Sequence, residues 1–150
     1  MQGPAFAHTG LTVHNLERSI AFYTAVLGLQ VTRLYERRGP AIEQVTGLPG
    51  AHVRIARLRF PGDSSHELEL LEYISPRGVP NDLAICNPGN GHVAFFVDDI
   101  DAFYERLVAH GVPCRSKPVT FNQADAPGRV LYFADPDGIP LELVQRPIDD

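Results

Sequence analysis

At 150 residues the chain is long enough for one compact domain or two small modules sharing a core, and too short for a multidomain assembly. Hydrophobic residues at 44% and charged residues at 21% exclude the disordered and fibrous classes. Thirteen Lys and Arg against eighteen Asp and Glu give a formal charge of -5 without a long basic run, which argues against a nucleic-acid partner. The start MQGPAFAH has no cationic stretch followed by an apolar run, and no window nears the roughly 18 apolar residues of a membrane span, so a soluble, cytoplasmic protein is expected.

Residues His8 to Val13 alternate, with Thr9, Leu11 and Val13 on one face and His8, Gly10 and Thr12 on the other, as in a half-buried strand. Asn15 is then placed to cap a helix whose apolar positions Leu16, Ile20, Tyr23 and Leu27 run to Gly28. Residues 39–50, GPAIEQVTGLPG, read as a loop with one helical turn. Residues 54–60 and 66–73, joined at Pro61-Gly62-Asp63, read as a hairpin. Cys86 and Cys114 match neither a CxxC pair nor a zinc ribbon and are expected to be reduced structural thiols. The 13 Gly and 13 Pro gather in breaks between short apolar runs, which favours short strands and turns with few helices.

The plan then repeats. In GHVAFFVDDIDAFYERLVAHG, Val93, Phe95 and Val97 alternate with His92, Ala94 and Phe96, and Asp98 or Asp99 can cap a helix. Its stripe is Ile100, Phe103, Leu107 and Val108, and Gly111 ends it. A second hairpin follows over 130–133 and 140–145. The expected fold is α+β, with two tandem βαβββ modules, over about 5–73 and 91–146, joined by a linker at 74–90. The modules would form a curved, cup-shaped mixed sheet with helices on its outer face.

Each module carries a His on its first strand and a Glu between two leucines on its last: His8 with Glu69, and His92 with Glu142. Leucines facing the helix send both glutamates to the opposite face. A carboxylate flanked by buried leucines needs a partner, because ionised groups are rarely buried unpaired. Two imidazoles and two carboxylates suit one divalent ion (Zn, Ni, Co, Mn or Fe(II)), with about two positions left open in an octahedron. Aligning Leu58 and Phe60 with Leu131 and Phe133 sends Arg57 and Arg59 toward the cup, where a guanidinium could grip a carboxylate or phosphate. Tyr73 shares strand parity with Glu69 and is a further pocket candidate. Arg37 and Arg38 are expected in solvent, and His14, His52, His66 and His110 as structural or surface residues.

The runs AHTGLTVHNLERSIAFYTAVLGL, LELLEY, GHVAFFVDDIDAFYERLVAHGV and DPDGIPLELV resemble the vicinal oxygen chelate superfamily, which includes glyoxalase I, methylmalonyl-CoA epimerase, extradiol dioxygenases and bleomycin resistance proteins. The resemblance implies paired βαβββ modules and metal ligands at His8, Glu69, His92 and Glu142. It also implies bidentate substrate binding through neighbouring oxygens, with Glu142 or Glu69 moving a proton beside a metal-bound carbonyl. A metal-dependent lyase or isomerase with a small-molecule substrate is therefore expected. A homodimer is expected too, since relatives form dimers, some with ligands drawn from two chains. Two other readings come with the family: an Fe(II) dioxygenase, which would need only His8, His92 and Glu142, and a non-catalytic binding or resistance protein. Glu69 favours redox-neutral chemistry over the first, and the intact ligand set disfavours the second. Glyoxalase I commonly places an Arg and an Asn, both gripping glutathione, where this chain has Thr12 and Tyr73. The run ELLEYISP is closer to methylmalonyl-CoA epimerases, although those often carry His-His where this chain has Gly91-His92.

Overall fold

A computed structural model describes residues 3, 5–63, 65–122 and 127–146. In the first module β1 (His8–Thr12) alternates as its sequence predicts, with Thr9 and Leu11 the more buried positions. The Asn15 side chain accepts a hydrogen bond of 2.8 Å from the Arg18 amide and so starts α1 (Leu16–Ala25). Gly28, just beyond the helix, adopts a positive φ of 82° that a side chain would resist. Three antiparallel strands follow: β2 (Gln30–Arg38), β3 (His52–Arg59) and β4 (Glu67–Ser75). The helical turn expected between β2 and β3 is α2 (Pro40–Thr46), begun by proline and closed by the left-handed Gly47.

The second module repeats the order with β5 (Val93–Phe96), α3 (Ile100–Ala109), β6 (Val119–Phe121), β7 (Gly128–Ala134) and β8 (Pro140–Gln145). Asp99 is the cap of α3, its carboxylate accepting from the amides of Asp101 and Ala102. Val108 departs from the expected stripe and is exposed. At about 100° per residue it lies a quarter-turn from the line through Ile100, Phe103 and Leu107. His92 falls one residue before β5 rather than within it. Continuing the parallel ladder would set it opposite Pro140, which has no amide hydrogen to donate.

The chain divides into two compact units, residues 1–80 and 81–150, and each holds one mixed four-stranded sheet. The strand orders are β1-β4-β3-β2 and β5-β8-β7-β6, so in each module the first strand lies parallel beside the last. In the first module Leu16 and Tyr23 of α1 are buried together with Ala56, Leu58 and Leu70 of the sheet. Ile100, Leu107, Leu131, Phe133, Leu141 and Leu143 are the buried counterparts in the second. Burying such side chains is worth about 1.5–3 kcal/mol each before entropy is counted.

Candidate functional site

Parallel pairing of the first and last strands brings each His to its Glu. In the first module Gly10 lies opposite Glu69 and His8 opposite Glu67. His8 Nε2 is 3.6 Å from Glu69 Oε1. Glu69 is only 8% exposed, and its other oxygen is occupied: Arg57 Nη2 lies 2.9 Å from Oε2, and the Tyr35 hydroxyl donates to the same oxygen at 3.3 Å. Arg57 is directly across from Glu69 on β3, and its Nε donates to the Tyr35 oxygen at 3.3 Å. Its Nη1 donates to Glu67 Oε2 at 2.9 Å, and Thr32 donates to the other Glu67 oxygen. The Arg57 guanidinium holds the Glu67 carboxyl below the usual glutamate range, while Tyr35, Glu67 and Glu69 favour the charged form of Arg57.

In the second module His92 Nε2 is 2.9 Å from Glu142 Oε2. Opposite Glu142 stands Tyr132, whose hydroxyl is 3.2 Å from His92 Nε2 and whose ring meets the imidazole edge-on at a centroid distance of 5.2 Å. Burial first, and the neighbouring Glu142 carboxylate second, push the Tyr132 phenol above its usual value.

Two donors bound about 2.1 Å from one ion are about 3.0 Å apart at a right angle and 3.4 Å at a tetrahedral angle. The observed His–Glu separations are close to this spacing, and both histidines present Nε2, so the residues of each module fit as two adjacent ligands. Among the described residues no group of three or more His, Cys, Asp or Glu poised to hold an ion is present; each module supplies a pair.

Arg57 does share the Glu69 face, but it is committed to two carboxylates. Arg59 shares its parity, lies at the exposed end of β3 and pairs with Gln30. Tyr73, opposite Val53, is half-buried on the Glu69 face. The alignment of Leu58 with Leu131 and Phe60 with Phe133 is two residues out. The turn between Leu58 and Leu68 is longer by two than that between Phe133 and Leu141, so Leu58 matches Phe133 and Arg57 matches Tyr132. Phe60 falls outside the strand and is 36% exposed, whereas Phe133 is fully buried. A two-residue slip preserves parity, so Arg57 faces the Glu69 side in either alignment.

Tyr35, Glu67 and Tyr132 were missed. Tyr132 stands between Leu131 and Phe133 as Glu142 stands between leucines, and that alternation could have found it. Arg33 and Arg37 stack on Tyr35, with guanidinium carbons 5.1 and 4.7 Å from the ring centre, so Arg37 is exposed but not merely solvated. Of the other histidines, His52 contacts Glu36 at 2.8 Å, His66 contacts Thr9 at 2.9 Å, and His110 contacts the Arg106 carbonyl. Cys86 and Cys114 are both free thiols, and burial pushes the Cys114 thiol up. No helix among the described residues is long and apolar enough to cross a membrane.

The pattern of the Glyoxalase/Bleomycin resistance protein/Dioxygenase superfamily matches residues 5–143. The chain is 33% identical to a 2-epi-5-epi-valiolone epimerase of an Actinomyces species, over 95% of this chain and 80% of that protein. It is 30% identical to the lactoylglutathione lyase of Haemophilus influenzae, over 93% of this chain and 90% of the relative. A crystal structure of a glyoxalase family protein from Bacillus cereus superposes with a TM-score of 0.85 at 24% identity, covering 97% of this chain and 95% of that one, and shares the fold. Paired βαβββ modules and a match along nearly the whole sequence place this chain in the Glyoxalase/Bleomycin resistance protein/Dioxygenase superfamily, the vicinal oxygen chelate family.

Proposed function

We propose that this protein is a divalent-metal-dependent lyase or isomerase that moves a proton at a carbon next to a chelated carbonyl, with His8, Glu69, His92 and Glu142 as the ligand set. The observation that carries this reading is the duplicated His–Glu pair, His8 on the first strand of its module and His92 just before the first strand of the other, each beside a Glu on the last strand, which runs parallel to the first. A bound divalent ion would supply Lewis-acid stabilisation of the enolate charge. Glu142 is the better candidate to take and return the proton, because Tyr132 across the sheet from it is neutral, whereas Glu69 Oε2 is held by both Arg57 and Tyr35. Tyr132 lies across the ladder from Glu142, and His92 Nε2 is 2.9 Å from Glu142 Oε2, so both line its carboxylate.

Epimerisation is favoured over a glutathione-dependent reaction. Thr12 and Tyr73 lie on the Glu69 face at the positions where the family's glutathione enzymes carry Arg and Asn, and neither presents a cation or an amide. The proposed assembly is a homodimer acting on a small molecule. The test is bound-metal analysis followed by solvent deuterium incorporation into α-hydroxyketone and acyl-thioester substrates. Metal-dependent exchange is expected. Properly folded protein that binds none of Ni, Co, Zn and Mn would refute the reading.

A further inference from the structure

The two glutamates stand at matching places in their modules but not in matching surroundings. Glu69 Oε2 receives Arg57 Nη2 at 2.9 Å and the Tyr35 hydroxyl at 3.3 Å, while Oε1 alone is turned to His8. Arg57 is fixed in turn, since its Nη1 is bound to Glu67 and its Nε to Tyr35. At the corresponding place in the second module stands the uncharged Tyr132.

We propose that Arg57 and Tyr35 are positioning residues that lock Glu69 as a stationary, one-oxygen ligand through Oε1. This rests on the metal reading above and adds a supporting shell that the ligand set does not contain. Hydrogen-bonded partners behind a ligand set its orientation, and losing them typically weakens metal binding about 10–100-fold. A guanidinium beside a ligand would by itself repel an incoming cation. Here Glu67, 2.9 Å from Arg57, cancels that charge, so the orienting effect remains while the repulsion is largely removed.

The charge-neutral double variant R57M/E67Q and the single variant Y35F test this by Co(II) titration of the full chain, with visible absorption of the bound Co(II) as a second readout. The expected result is Co(II) binding weakened about 10–100-fold in R57M/E67Q and a few-fold in Y35F, with an altered absorption band in both. Circular dichroism and the melting temperature report folding separately. If R57M/E67Q fails to fold, Y35F, which removes one hydroxyl, decides the matter. Folded variants that bind Co(II) within twofold of wild type with an unchanged spectrum overturn the positioning role. Wild-type protein that binds no Co(II) overturns the metal reading itself, a distinguishable result.

Discussion

Arg57 and Tyr132 stand at the same place in their hairpins, each directly across the sheet from its module's glutamate, and one is a charged fork where the other is a neutral hydroxyl. The duplicated scaffold has thus kept the carboxylate and varied its neighbour. That difference predicts unequal roles for Glu69 and Glu142.

Glu142→Gln should abolish solvent exchange, by about 10²–10⁴-fold as is usual on loss of a general base, while retaining measurable metal. Glu69→Gln should lose metal first and activity as a consequence. Metal content and deuterium exchange measured on both variants check this. Full metal loading and activity in the Glu69 variant, with oxygen uptake on catechols after iron loading, would instead favour the three-ligand dioxygenase reading.

Glu72 should matter for folding rather than chemistry. It is 4% exposed on the helix side of β4, accepts the Leu16 amide at the start of α1, and is paired with Arg54 at 3.3 Å and Arg77 at 3.5 Å. Glu72→Ala removes the acceptor of the Leu16 amide and one of several partners of the partly exposed Arg54 and Arg77, and should cost about 1–3 kcal/mol, the scale of leaving a buried donor unpaired. Urea unfolding measures it, and a cost under about 1 kcal/mol would mean that solvent replaces the carboxylate.

Acid should weaken the Arg57–Glu67 pair in a defined direction. The hydrogen bond from Arg57 holds the native Glu67 below the 4.5 ordinary for glutamate, so the unfolded chain takes up this proton first. The pair's contribution is complete above about 4.5 and is lost as the pH falls through the lower native value. Wild type and Glu67→Gln should therefore differ at pH 7, by up to about 1 kcal/mol for a partly exposed pair, and converge in strong acid. A difference independent of pH in urea titrations would contradict this.

Phe133 is fully buried at the position matched by Leu58 in the first module. Phe133→Ala should destabilise the chain by about 3–5 kcal/mol, and Phe60→Ala, at the exposed turn, by far less. Equal losses in thermal or urea unfolding would contradict the match of Leu58 with Phe133.

Much of this was legible in the sequence. Alternation around Leu11 and Phe95, the Asn15 and Asp99 caps and the leucines flanking Glu69 and Glu142 are local signals, and local physics determines them. β2 was hard to place because nearly every residue from Gln30 to Arg38 is exposed and only pairing with β3 makes it a strand. The parallel placement of β1 beside β4, which brings His8 to Glu69, is a long-range property that no short window carries. Arg57's partners were misjudged for the same reason: the donor, Tyr35, Glu67 and Glu69 come from three strands. Glu72 escaped notice because its partners lie at the start of α1, on β3 and after β4.

The proposed function rests on His8, Glu69, His92 and Glu142 sharing one divalent ion. Anomalous diffraction at the cobalt edge, from crystals grown with stoichiometric Co(II), tests it most directly. The account predicts one strong peak bonded to the Nε2 atoms of His8 and His92 and to carboxylate oxygens of Glu69 and Glu142. A peak bonded elsewhere, or no peak with all four side chains ordered, would contradict it.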